Sequence, residues 1–136
     1  MRTTLPSGTP IELARPEGEA TMGLVLAPDI GGLRPLFDDL VARLSAEHRW
    51  AVAAVEPFPG REQELSTLEA RMAAVATLVD ADAVADLVAA ADLLDVEPVG
   101  VLGFCMGGMW TMKAAATLRF HRAVPVYGMV RNPENW

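Results

Sequence analysis

The stretch Val99-Gly100-Val101-Leu102-Gly103-Phe104-Cys105-Met106-Gly107-Gly108 decides how the rest of this chain is read. An apolar run of strand character enters a glycine-rich turn, and a segment of helical character leaves it. The only cysteine of the sequence sits at the apex of that turn. This is the layout of a nucleophile elbow, in which a sharp strand-to-helix turn pushes a reactive side chain out of the backbone. Gly103 and Gly107 flank Cys105 where any side chain would crowd such a turn, and the apex itself is expected to be strained. A helix beginning at Met106 aims its free N–H groups and positive end at the sulfur, which favours thiolate over thiol. Most free cysteines are buried structural thiols, so it is the Gly-x-Cys-x-Gly-Gly context that singles this one out. Gly103 and Gly108 also have P-loop spacing, but Met109 and Trp110 stand where Lys and Ser/Thr are required, so phosphate binding is not supported.

Working outward, Thr21–Ala27 is nearly continuous in apolar residues, as a strand covered on both faces is, and it ends at Pro28-Asp29-Ile30-Gly31-Gly32. Pro35 suits the first position of a helix, and Leu36, Leu40 and Leu44 give it one apolar face to about Glu47. Trp50–Val55 is the next strand, stopped by Glu56-Pro57-Phe58-Pro59-Gly60. Ser66 with Glu69 forms a capping box ahead of a helical stripe of Leu68, Met72, Val75 and Val79. A second stripe, Val84, Leu87, Val88, Ala91 and Leu94, predicts the helix that leads into Val99. The elbow helix is expected to reach about Leu118. Ala123–Gly128 reads as one more strand despite Pro125, and Ile11–Pro16 as a short strand ahead of the rest. Strands alternating with helices predict an α/β fold with a parallel sheet. In such sheets the ligand crevice lies at the carboxyl ends of the strands, where Asp29, Glu56, Cys105 and Tyr127-Gly128 all fall.

At 136 residues, 51% of them apolar, the chain is expected to form a single packed domain over residues 1–136. A net charge of −7, with Lys113 the lone lysine and no basic cluster, argues against nucleic acid as a partner. The start lacks the apolar stretch of a signal peptide and no long apolar run could span a bilayer, which points to a cytoplasmic protein without a membrane partner. One cysteine excludes an internal disulfide. Asp80, Asp82 and Asp86 have no histidine beside them and read as a solvated helix face, so no metal and no other cofactor is expected. Met106, Met109, Trp110 and Met112 read as helix packing.

With these residues in view, the chain resembles the dienelactone hydrolase family of the α/β-hydrolase fold. The resemblance is carried by Gly103–Gly108, by Val25–Gly32 and by Val126-Tyr127-Gly128. It implies cleavage of a small-molecule ester or lactone through an acyl-thiolate on Cys105, with the backbone N–H groups of Ile30 and Met106 as the oxyanion hole. It also implies an acid at the position of Asp29 that meets the resting thiol and tunes it, although family members usually have glutamate there. Aspartate falls short by about one carbon–carbon bond, roughly 1.5 Å. Arg71 and Tyr127 are the expected substrate contacts, with Arg61 a further arginine suited to a carboxylate.

In this fold the acid and histidine of the triad follow the nucleophile. The 31 residues after Cys105 contain no aspartate, and their one histidine, His121, precedes the last strand. His48 follows a helix at that same remote end. The resemblance corresponds to the amino-terminal half or slightly more of a family member. The expectation is therefore an α/β-hydrolase-like sandwich truncated before its last strands, the alternative being a degenerate relative that binds ligand or associates without catalysis. A cut after Gly128 would leave an exposed sheet edge through which copies could associate.

Overall fold

The apolar runs of the sequence become strands of one sheet because each is covered from both sides. A computed structural model describes residues 1–130 of the chain. They form β1 (Arg2–Thr4), β2 (Pro10–Ala14), β3 (Met22–Ala27), α1 (Pro35–His48), β4 (Trp50–Val55) and α2 (Leu68–Ala74). A 3-10 turn at Val75–Thr77 leads to α3 (Asp80–Leu94), β5 (Val99–Phe104), α4 (Met106–Ala115) and β6 (Arg122–Val126). The six strands lie in the order β1-β2-β4-β3-β5-β6.

From β4 through β3 and β5 to β6 neighbouring strands are parallel, as the alternating pattern predicts. The first two strands are not: β1 pairs antiparallel with β2, and β2 antiparallel with β4. The sheet is thus mixed. β1 is short and polar, so no periodicity in the sequence announces it.

Alternate residues serve opposite faces. Val25, Ala53, Val55, Val99 and Val101 pack against Leu87, Ala91 and Leu94 of α3 and Ala114 of α4. Leu24, Leu26, Val52 and Ala54 pack against Phe37 and Val41 of α1. Pro35 occupies the first turn of α1, and the helix stops where Arg49 turns left-handed at φ 58°.

The structure also corrects the sequence expectations within the helices. The buried face of α1 is Phe37, Val41 and Ser45 and not the expected stripe of Leu36, Leu40 and Leu44: Leu36 is exposed, and Leu40 and Leu44 are only partly buried. The cap of α2 is Thr67, whose hydroxyl accepts from the Ala70 N–H, and not the Ser66–Glu69 box. Its expected apolar stripe does not enter the core: Leu68, Met72 and Val79 are exposed, whereas Arg71 and Ala74 of the neighbouring face are buried. The elbow helix stops at Ala115 and the chain reverses, with Leu118 at φ 60°. Finally, Asp80 and Asp86 do not form a merely solvated face. Asp80 accepts from Trp110 Nε1 at 2.8 Å and Lys113 Nζ at 2.7 Å, tying α3 to α4, and Asp86 accepts from Ser7 and Thr9.

Close approach of backbone to backbone fixes where α4 begins. A Cβ placed on Gly107 would lie 2.1 Å from the Ala27 carbonyl oxygen and 2.4 Å from that of Pro28. One on Gly103 would lie 2.1 Å from the Gly107 oxygen. Neither neighbour is a side-chain end that could swing aside. Gly100, two residues earlier on β5, would meet nothing closer than 3.6 Å. Gly107→Ala is therefore expected to lower the stability by roughly 1–3 kcal/mol or more, the cost of overpacking, and Gly100→Ala by much less. Urea midpoints of the two variants at unchanged m-value measure the difference.

Candidate active site

Cys105 stands between β5 and α4 with φ 56° and ψ −118°. For a residue with a Cβ this is a sparsely populated conformation that costs roughly 1–3 kcal/mol, and the surroundings must enforce it. They do so by hydrogen bonds on both sides: Cys105 N–H donates to the Val126 oxygen at 3.0 Å, and Met109 N–H donates to the Cys105 oxygen at 3.1 Å. The first is the end of the β5–β6 ladder and the second the first turn of α4. The expected strained elbow is present, and Cys105 is half-buried.

Cys105, Ile30 and Met106 line one cavity of about 240 Å³, so the structure gathers three of the expected site residues. Its other walls come from Met72 and Val75 beyond the β4–α2 loop, Met109 of α4 and Met129. Met106 opens α4, and its N–H has no partner within the helix. The Ile30 N–H likewise donates to no backbone or side-chain acceptor among the described residues. The Met109 read as packing does pack, yet it also forms a wall of the cavity.

The loop that carries Ile30 is fastened from below by a buried ion pair. Glu56, at the end of β4, accepts from the Leu33 N–H at 2.9 Å and the Phe58 N–H at 3.1 Å. Arg71 Nη1 lies 3.2 Å from Glu56 and donates also to the Ile30 carbonyl at 3.2 Å, while its Nε donates to the Leu65 carbonyl at 2.9 Å. Its guanidinium lies over the Phe58 ring. The Glu56 side chain is 1% exposed and that of Arg71 11%. Arg71, expected as a substrate contact, is instead a tie between three loops and does not line the cavity. Glu56 carried no assigned role in the sequence beyond its place at a strand end.

Asp29 does not meet the thiol. Its Oδ1 accepts from Arg34 Nη1 at 2.7 Å and from the Gly31 N–H at 2.9 Å, and its Oδ2 from Arg34 Nη2 at 2.9 Å. In place of the expected tuning contact with Cys105, Asp29 makes a two-pronged pairing with Arg34, five residues on. Burial pushes the Asp29 carboxyl up, but hydrogen bonds from Arg34 and Gly31 and the charges of Arg34 and Arg71 outweigh it and hold the group below 3.8. Arg34 is the residue that sequence reasoning passed over, and no motif signals it. Tyr127 turns outward at φ 41°, largely exposed, with its ring 6.5 Å from that of Phe104, and does not line the cavity either. Arg61 donates to Thr77 Oγ1 and Glu64.

Both histidines lie at the opposite end of the sheet. His48 stacks on Trp50 at the start of β4, and His121 N–H donates to Val99 at the start of β5. Among the described residues no histidine approaches Cys105.

Residues 11–135 match the sequence model of the dienelactone hydrolase family. The chain belongs to that family. It is 30% identical over 125 residues to a probable 2-oxo-3-(5-oxofuran-2-ylidene)propanoate lactonase of Bradyrhizobium, a match that covers 87% of this chain and 50% of the relative. A crystal structure of a Klebsiella pneumoniae protein assigned to the dienelactone hydrolases superposes with a TM-score of 0.85 at 25% identity, over 97% of this chain and 60% of that one. A dienelactone hydrolase from Anabaena variabilis shares the fold at 17% identity and a TM-score of 0.59, over 86% of this chain and 56% of that one. The chain thus spans about half the length of the curated relative it matches. Among the described residues no helix is long and apolar enough to cross a membrane.

Removing one member of a buried ion pair strands the other, at a cost of roughly 3–5 kcal/mol. Arg71→Met is expected to destabilise the protein by that amount, and the double variant Glu56→Gln/Arg71→Met to recover part of it. Denaturant midpoints of the single and double variants form the cycle that isolates the coupling. Asp29 and Asp80 both have lowered folded-state values, Asp80 because hydrogen bonds from Lys113 and Trp110 outweigh its burial. Such carboxylates add stability that is complete above their unfolded value, near 3.8, and is lost as the pH falls through the lower folded value. The urea midpoint is therefore expected to hold steady down to about pH 5 and then fall, more shallowly in Asp80→Asn.

Proposed function

We propose that this chain carries the acylation half of an ester or lactone hydrolase, with Cys105 as nucleophile. The observation that supports this best is the strained elbow at Cys105, which opens onto the same cavity as Ile30 and Met106. Strain of this kind persists where the surroundings over-determine it, and an exposed reactive atom is its usual use. Membership of the dienelactone hydrolases and the likeness to a lactonase supply the class of bond.

In the proposed step the Cys105 thiolate attacks the carbonyl carbon and forms the S–C bond. The carbonyl electron pair moves onto oxygen, where the N–H groups of Ile30 and Met106 donate to it. Collapse of this intermediate breaks the bond to the leaving oxygen, which takes a proton from water, and leaves a thioester. The first turn of α4 offers its free N–H groups to negative charge at the sulfur before attack. Glu56 and Arg71 act as positioning residues, since their bonds to Ile30 and Leu33 set the loop that presents the Ile30 N–H. Hydrolysis of the thioester needs a base to activate water, and neither His48 nor His121 is placed for it.

An activated ester such as p-nitrophenyl acetate is accordingly expected to release a burst of one equivalent of p-nitrophenolate per chain. The intact mass should rise by a single acyl group that peptide mapping places on Cys105, and Cys105→Ala should abolish both. Absence of burst and adduct in the wild-type protein would overturn the proposal in favour of a ligand-binding relative.

A further inference from the structure

We infer that Gly108 and Gly128 are positioning residues for Cys105, acting through the carbonyl of Val126, an inference that rests on the nucleophile role proposed above. The first turn of α4 is held between the ends of two strands, with one glycine against each. Gly107 faces the end of β3, where a Cβ would meet the carbonyl oxygens of Ala27 and Pro28. Gly108, the next residue, faces the segment that leaves β6. A Cβ on Gly108 would lie 2.9 Å from the Gly128 Cα, 2.9 Å from the Val126 oxygen and 3.0 Å from the Gly128 nitrogen. The approach is mutual, since a Cβ on Gly128 would lie 2.7 Å from the Gly108 carbonyl carbon and 2.9 Å from the Met109 nitrogen. Every one of these neighbours is backbone, so neither position has room for a methyl group.

The Val126 oxygen links this contact to the nucleophile. It accepts the Cys105 N–H at 3.0 Å, and that bond holds one side of a residue at φ 56°. A backbone so strained keeps its geometry only while its surroundings enforce it. Val126 can bring its carbonyl against the start of α4 because Gly108 presents no side chain there. The chain then turns sharply, with Tyr127 at φ 41°, lays Gly128 against Gly108 and sets Met129 in the wall of the Cys105 cavity. Two residues with positive φ, Cys105 and Tyr127, thus flank the hydrogen bond that joins the elbow to β6. A methyl group on either glycine pushes α4 and the end of β6 apart, lengthens this bond and lets the elbow relax. The sulfur is then displaced relative to the N–H groups of Ile30 and Met106, and a displacement of about 1 Å at a reacting group can cost roughly 100-fold in rate.

The test is burst-phase acylation of the full chain by p-nitrophenyl acetate, with Gly100→Ala as the control for an added methyl group, since a Cβ there meets nothing closer than 3.6 Å. Burst amplitude counts competent chains, and the saturating burst rate and the half-saturating ester concentration are read separately. Gly108→Ala is expected to acylate about tenfold more slowly at full amplitude and Gly128→Ala about threefold, both with half-saturation unchanged, and Gly100→Ala at the wild-type rate. Gly128 lies beyond β6, where a shift of the segment leaves the sheet intact, so this variant carries the test if Gly108→Ala does not fold. In the wild-type protein the Cys105 amide is expected to exchange its hydrogen far more slowly than an exposed loop amide. Wild-type rates in both glycine variants, a loss of amplitude at unchanged rate, or an unprotected Cys105 amide would overturn the inference and leave the nucleophile role standing. No burst from the wild-type protein would overturn the nucleophile role and this inference with it.

Discussion

The start of α4 rests directly on the end of β3, glycine backbone against carbonyl oxygen, and everything distinctive about the site follows from that contact. With no side chain at Gly107, the first turn of the helix can sit against Ala27 and Pro28. With none at Gly103, the last turn of β5 can fold under it. The two contacts leave Cys105 in a conformation it would not adopt alone, and they bring Met106 and Ile30, from separate loops, onto one cavity. Any Cβ here would push α4 away from the sheet and separate groups that matter only when they converge.

Charge in the surrounding loops does structural service. Two acid–arginine pairs, Glu56 with Arg71 and Asp29 with Arg34, stand beside the cavity, and in both the arginine also reaches a backbone carbonyl of the Ile30–Gly32 segment. The buried pair Glu56–Arg71 adds little net stability over an apolar substitute, because desolvation offsets the attraction. What it does well is specify geometry, since a guanidinium fork accepts few arrangements of its partners. The loop that offers the Ile30 N–H is thereby fixed by side chains that do not line the cavity. The cavity wall is left to methionines.

Much of the fold was legible in the sequence. The apolar runs at Met22–Ala27, Trp50–Val55 and Val99–Leu102 are strands buried on both faces, and α1 and α3 form where periodicity places them, although α1 buries Phe37, Val41 and Ser45 and leaves Leu36 of the expected stripe exposed. Legibility ended where the pattern was too short or the winning partner was distant. β1 has three residues and pairs through backbone alone. α2 presents an apolar stripe that periodicity assigns to the core, yet the helix is turned the other way, because Arg71 can satisfy a buried Glu56 that is 15 residues away in sequence. Once that pair forms, Leu68 and Met72 are left outward, and Met72 with Val75 becomes a wall of the cavity.

For the site, the sequence by itself determined the elbow. Steric demands within a few residues of Cys105 are local, so Gly103, Gly107 and the strand-to-helix switch announce the turn and the start of the helix at Met106, whereas Ile30 enters only through the family resemblance. Only the tertiary structure decided which acid meets which cation. Asp29 and Tyr127 fall at the carboxyl edge of the sheet and Arg71 was the expected substrate contact, but Asp29 pairs with Arg34, Arg71 with Glu56 and Ile30, and Tyr127 turns outward. Pairing of this kind depends on loops from different strand ends meeting in three dimensions. Distance and burial there outweigh anything that spacing along the chain encodes.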